Sequence, residues 1–169
     1  MDITELILDD HHDQRRMFAF LEDIERPNTA ALGAVWMRLR TALEVHALAE
    51  EELFYPHLLK IGSGAGGETV VGEVIDVIKD HNEIRDAIAE ADKHPVGSDE
   101  WWEGVQAANK ANGDHMAEEE REDLADFRHH APLQLRHDIA VAFATFEAVH
   151  AAGVVAGDRD PQQYVDEHR

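Results

Sequence analysis

Four histidines, His11, His46, His81 and His115, recur at steps of 35, 35 and 34 residues. In an up-and-down helical bundle, even spacing brings such residues to one depth when each lies near the middle of its helix. His46 is followed four residues later by Glu50, in HALAEEE, and His115 by Glu119, in HMAEEE. A helical turn takes about 3.6 residues, so side chains at i and i+4 share a face and can converge on one centre. His11 and His81 instead follow an aspartate, in DHHDQR from Asp10 and DHNEIR from Asp80. The resulting order is DH, H-x-x-x-E, DH, H-x-x-x-E, a weak twofold repeat built from metal-ligating residue types.

The 169 residues suit one domain with its own core. Absence of cysteine excludes disulfides, thiolate zinc sites and cysteine-held iron-sulfur clusters, and it fits a reducing compartment. Any transition metal must therefore be held by imidazole and carboxylate, a donor set that suits iron, manganese or zinc. Asp and Glu number 36 against 15 Lys and Arg, and the net charge of -21 repels nucleic acid and anionic lipid. No apolar run approaches the roughly 18 residues of a membrane span, and MDITELILDDHHD lacks the basic start of a secretory signal. A cytoplasmic, soluble monomer or weak dimer, with no nucleic-acid or membrane partner, is the expectation. Nucleophilic catalysis has no support, because there is no cysteine and the few serines sit in Gly-rich turns.

Period-3.6 stripes predict an all-α chain, and no sustained period-two alternation competes. Asp2 with Glu5 opens a first helix running to about Glu25, with Ile3, Ile7, Phe18 and Leu21 inward and Met17 and Ile24 flanking. His11 borders that stripe, whereas His12 lies about 100° further round on a more polar side. Asn28 or Thr29 caps a second helix whose inward positions are Leu32, Val35, Leu39, Leu43, His46, Glu50 and Leu53. Pro56 should kink or end it, and the Gly-rich stretch 61–67 is a connection. A third helix from Glu68 or Thr69 carries Val71, Val74, Ile78, His81, Arg85 and Ile88 on one side. A fourth, capped by Ser98 or Asp99, carries Trp101, Val105, Ala108, Asn112, His115 and Glu119, continued by Asp123 and Phe127. Pro132 opens a fifth amphipathic helix with Leu135, Ile139, Phe143, Phe146 and Val149 inward. It holds no inward acid-histidine pair at ligand spacing.

The predicted architecture is an antiparallel up-and-down four-helix bundle with an additional C-terminal helix. Residues 1–130 form the bundle, 131–152 the added helix, and 153–169 a C-terminal tail that the sequence leaves undecided between free and docked.

A histidine and a glutamate thus occupy positions where leucine is expected, and an ionised carboxylate there requires a metal or a partner. Four histidines and two carboxylates, one histidine per helix, suffice for two metal ions bridged by Glu50 and Glu119, since each carboxylate has two oxygens. A single H-x-x-x-E is common in an acidic helical protein with 12 histidines; the complete ordered set is not. Asp10 and Asp80 are candidates to orient a neighbouring helix's histidine. Glu51 and Glu52 project away from the Glu50 face, although Glu51 is near enough to be a spare bridging ligand. Tyr55 points away by helix angle and reads as a packed tyrosine, and His57 as helix-end packing. His129, His130, His137, His150 and His168 read as surface residues.

The chain resembles the hemerythrin-like proteins with an HHE cation-binding domain. The resemblance rests on Asp10 and His11 followed by the Met17-Phe18 pair, on H-x-x-x-EEELFYP from His46 to Pro56, on Asp80 with His81, and on H-x-x-x-EE from His115. It covers roughly residues 1–130. It implies a four-helix bundle holding a non-haem di-iron centre, two oxo- or hydroxo-bridged iron ions, with His11, His46, Glu50, His81, His115 and Glu119 as ligands. Two departures stand out. Oxygen-carrying members have H-x-x-x-H on the third helix, and Arg85 takes the second position here; a guanidinium has no lone pair to donate. Those members also place the last carboxylate five residues after its histidine, at Glu120, but Glu119 lies closer to the apolar side. A ligand set short of one histidine leaves positions open, as reactive sites do. The resemblance therefore implies small-molecule partners, O2, hydrogen peroxide or nitric oxide. Peroxide decomposition leads, O2 binding stands beside it, and iron, O2 or nitric oxide sensing without turnover is the alternative.

Overall fold

In the computed structural model, which describes residues 1–169, the chain is all helical. Asp2 caps α1 (Ile3–Asp23) by accepting the Thr4 amide at 3.0 Å, and Asn28 caps α2 (Thr29–Ala49) through the Ala31 amide at 3.2 Å. One π-helical turn, Glu50–Phe54, joins α2 to α3 (Tyr55–Ile61) without a loop. Thr69 caps α4 (Val70–Asp92) and Ser98 caps α5 (Asp99–Arg121). At Glu122 the backbone departs from helical geometry before α6 (Asp123–His130), so the long fourth helix read from the sequence is bent there while Asp123 and Phe127 remain buried as its stripe requires.

The four long segments α1, α2–α3, α4 and α5–α6 form an antiparallel up-and-down bundle, as predicted. On its outside, α7 (Leu133–Val149) packs against α1 and α2 through Ile139, Ala140 and Phe143, and Arg136 reaches Asp2 at 2.7 Å. The inward stripe predicted for α7 fails at its end: Val149 is 73 % exposed, because the helix runs past the bundle that covers its middle. Residues 153–169, expected to be a tail, include α8 (Pro161–His168), whose Tyr164 and Val165 are buried against α3 and α4. These two buried residues, with the Tyr164 hydroxyl and Arg159 contacts, dock it.

Apolar packing falls into two separate clusters. One holds Phe18, Leu21, Leu32, Trp36, Leu39, Ile88 and Trp101 near one end. The other holds Ile3, Ile7, Phe54, Leu58, Ile78, Phe127, Phe143 and Tyr164 near the opposite end. Between them lies a buried polar layer of His11, Gln14, His46, Glu50, Glu51, His81, Arg85, Asn112, His115 and Glu119. Equal histidine spacing produces this layer, since each helix reaches the middle of the bundle at its histidine.

α4 and α5 pack closely. A Cβ on Gly104 would lie 2.7 Å from the Ala91 Cα, so only glycine permits this approach. Gly113, on the same helix, would meet nothing within 4 Å. Gly104→Ala should therefore lower stability by about 1–3 kcal/mol through overpacking, and Gly113→Ala should raise it by up to about 1 kcal/mol through helix propensity. Chemical denaturation of the two variants beside the parent protein measures both; equal effects would refute the assigned packing.

Candidate metal centre

Six side chains singled out by the spacing converge in the polar layer. His11 comes from α1, His46 from α2, Glu50 from the π turn, His81 from α4, and His115 and Glu119 from α5, and all are buried. Glu50 stands in the middle. Its Oε1 lies 2.9 Å from His46 Nε2, and its Oε2 lies 3.3 Å from His81 Nε2 and 4.0 Å from His115 Nε2. On the other side, His11 Nε2 is 3.2 Å from Glu119 Oε2. The Nε2 atoms of His81 and His115 face each other at 3.2 Å, a contact that a single proton can serve. Two groups of potential ligands result, His11 with His46 and Glu50, and Glu50 with His81 and His115, and Glu50 belongs to both.

The histidines' outer nitrogens face carboxylates, the kind of group that orients metal-binding imidazoles. Asp10 Oδ2 is 3.3 Å from His46 Nδ1, and Asp80 Oδ2 is 3.7 Å from His115 Nδ1. Each aspartate reaches the histidine of a neighbouring helix, the orienting role considered for the DH pairs. His11 Nδ1 meets Glu120 at 2.9 Å, and Arg15 holds the same oxygen at 2.7 Å. Glu120 is thus on the outer side of His11 and Glu119 on the inner side, in the order that helix angle favoured. His12 is exposed.

Three residues stand elsewhere than expected. Tyr55 is fully buried, and its hydroxyl donates to Glu119 Oε1 at 2.6 Å. Glu51 is also fully buried; it lies 2.9 Å from His81 Nδ1, and Arg85 and Arg159 hold its carboxylate. Both shifts come from the π turn. Its extra residue advances the later side chains by about 100°, which carries Glu51 and Tyr55 inward and leaves the expected core residue Leu53 only half buried beside a buried Phe54. Pro56 was the available sign of irregularity, but a proline does not reveal whether a helix ends or inserts a residue. The third is Glu147 on α7, which groups with Asp10 and His46 as potential ligands. It follows Phe143, which packs on the His46 ring, by one turn and so continues the inward stripe. That register was readable, but a search for histidine pairs passes over it.

The hemerythrin HHE cation-binding domain matches residues 2–126. The chain belongs to this family. No curated protein and no solved structure matches it. The matched span contains all six converging residues, whereas α7 and α8 lie outside it.

Cation binding by this family can be tested against the site's own atoms. The Nε2 atoms of His11 and His46, both oxygens of Glu50 and Oε2 of Glu119 are buried without a hydrogen-bond partner. Buried polar atoms are rarely left so. Several lie about 3 Å apart, the separation expected of neighbouring ligands on bonds of roughly 2.0–2.2 Å. The donor set fits a metal.

Without metal, protons must supply the positive charge. Burial alone would favour a neutral His46 ring, but the Glu50 carboxylate and the Asp10 hydrogen bond outweigh it and hold the pKa well above its ordinary value. For His81, burial is again outweighed, by hydrogen bonds donated to Glu50 and Glu51, and the pKa rises from 6.5 to about 9. Burial would raise Glu50, yet the His46 and His81 charges hold it well below the usual carboxylate range. Tyr55 is pushed far up, by burial first and by the Glu119 charge second, so its hydroxyl keeps its proton.

A folded-state pKa raised above the unfolded value contributes stability that is complete below the unfolded pKa and disappears as pH rises through the folded one. Metal-free protein should accordingly lose the His81 contribution between pH 6.5 and about 9. A thermal-denaturation series across that window checks this: the midpoint of the parent should fall more steeply than that of His81→Gln. Loaded protein should behave oppositely below neutrality, because metal competes with protons for the same nitrogens.

Proposed function

We propose that the centre holds two iron ions and reacts with oxygen-derived small molecules, with hydrogen peroxide as its principal substrate. The observation that carries this reading is Glu50: a buried carboxylate whose two unpartnered oxygens face two different groups of histidines. In this reading His11, His46 and Glu119 would hold one ion and His81 and His115 the other, with Glu50 facing both. Iron in such an oxygen- and nitrogen-rich set supplies redox chemistry between the ferrous and ferric states.

The chain's own residues prepare the site for an added ligand. Arg85 stands where a further histidine would complete the third helix, and it is turned to Glu51 instead, so the protein offers one donor fewer there. Positions left to exogenous ligands characterise reactive centres. Tyr55 fixes Glu119 by a short hydrogen bond and retains its proton. Glu147 is raised to about 7, mainly by burial and then by the neighbouring Asp10 charge, so it holds a proton near neutrality at the outer edge of His46. The apolar clusters above and below exclude bulk water.

Peroxide decomposition converts two H2O2 into two H2O and one O2, so oxygen evolution is the direct measure. Iron-loaded parent protein should contain about two irons per chain and evolve oxygen from peroxide at least tenfold faster than a His46→Ala, Glu50→Ala double variant, the lower end of what loss of metal-supporting groups produces. Equal rates would refute the proposal.

A second reading, sensing of iron, O2 or nitric oxide without turnover, draws support from α8. Its Tyr164 hydroxyl donates to the Glu51 carbonyl, and Arg159 just before it pairs with the Glu51 carboxylate. Rearrangement at Glu51 would loosen the C-terminal arm. Metal-dependent protease resistance of residues 131–169, with no oxygen evolution, would favour this reading.

A further inference from the structure

Beside the centre, α4, α5, α6 and the loop after α3 enclose a cavity of about 220 Å³ lined by Glu68, Glu73, Asp76, Asp80, Glu118, Glu122, Asp123 and His115, with Val77 the one apolar side chain. Liquid water occupies about 30 Å³ per molecule, so the space admits a small cation with part of its hydration shell. Seven carboxylates line the space and none of its lining residues is a lysine or arginine. At the rim, Asp76 is paired with Lys79 at 2.7 Å and Glu122 with Arg121 at 2.8 Å.

The inner carboxylates are different. Asp123 is 3 % exposed, and every influence on its pKa pushes it upward: burial first, then the charges of Glu119, Glu73, Glu122 and Glu50. No donor or cation holds it. Glu73 is 7 % exposed, and one of its oxygens accepts the Ala65 amide while Oε2 has no partner. His115, 2 % exposed, also borders the cavity, and its Nδ1 has no hydrogen bond. Buried carboxylates gathered around water without a compensating charge are destabilising to the empty protein. A cation in their midst removes that penalty.

Asp123 lies one turn beyond Glu119 on the same side of the bent helix, and Glu119's charge is the strongest acting on it. The cavity therefore joins exposed Glu118 and half-buried Asp76 to buried Glu73, Asp123 and His115, and His115 belongs to the centre, with Glu119 one turn before Asp123. The two apolar clusters close the centre above and below.

We propose that this cavity is a staging site for a hydrated divalent transition-metal cation, through which the centre is loaded. Glu73 and Asp123 take the ion in exchange for part of its water, and Glu119 and His115 receive it. The inference rests on the metal-binding reading of the centre. Oxygen ligands of this kind suit a ferrous ion that still carries water, whereas the histidine-rich interior suits its final position. Electrostatic focusing by a one-signed cavity raises cation arrival rates by factors of about 10 to 10³, and salt diminishes the effect.

The test is anaerobic stopped-flow loading of metal-free full-length protein with ferrous ion, read by metal content of quenched, desalted samples. A Glu73→Gln, Asp123→Asn variant should load roughly tenfold more slowly at low ionic strength while reaching the parent's final stoichiometry. The rim variant Asp76→Asn, Glu118→Gln, whose surface positions do not threaten folding, should load several-fold more slowly, and added salt should narrow both differences. Remote charge removal by Glu22→Gln, Glu25→Gln should leave the rate unchanged. Parent rates in both cavity variants, or equal slowing by the remote pair, would overturn the staging site while leaving the centre intact. Parent protein that takes up no metal would overturn both.

Discussion

Glu50 is an ionised carboxylate with no solvent exposure at the middle of the bundle, and the structure around it answers that single difficulty. An isolated charge in such a place is unstable unless opposite charge surrounds it. The His46 and His81 imidazoles, from two helices, supply it in the metal-free protein, and the outer nitrogens of His46, His81 and His115 face Asp10, Glu51 and Asp80. The polar layer consequently runs across all four long helices and divides the apolar core in two. Helix register cannot slip, because a one-residue shift would move a histidine out of the layer and a hydrophobe into it.

The π turn adjusts this layer on one side. Tyr55 donates its amide to the Glu50 carbonyl, one residue further back than in an α-helix. The Glu51 carbonyl would next look to residue 56, but Pro56 has no N–H. Its acceptor is satisfied by the Tyr164 hydroxyl, which arrives from α8. A local backbone irregularity thus gives the distant terminal helix a hydrogen-bond acceptor and brings Tyr55 to Glu119. Single π turns of this kind occur frequently at functional sites.

Arg85 lies beside the histidines without joining them. It cannot donate a lone pair, so it does not join the histidines; it holds Glu51, which Arg159 holds from the other side. Two guanidinium groups keep this carboxylate at the His81 outer nitrogen. Chemically, Arg85 stabilises an extra buried anion beside the histidines.

Much of this was legible in the chain itself. Apolar stripes at helical period, caps at Asp2, Asn28, Thr69 and Ser98, and one histidine per helix at nearly equal intervals determine an all-α bundle with those histidines at a common depth, since periodicity and spacing are properties of single helices. The ranking of His11 above His12 and of Glu119 above Glu120 follows from helix angles, and Asp10 and Asp80 stand as candidates beside the site in the sequence itself. Glu51, Tyr55 and Glu147 do not. The first two depend on whether the helix inserts a residue before Pro56, an outcome settled by whether a tyrosine more than 100 residues later can satisfy the freed carbonyl. Glu147 depends on how α7 lies across α1 and α2. Tertiary packing decided these, because each is a contact between segments whose own periodicities carry no information about one another.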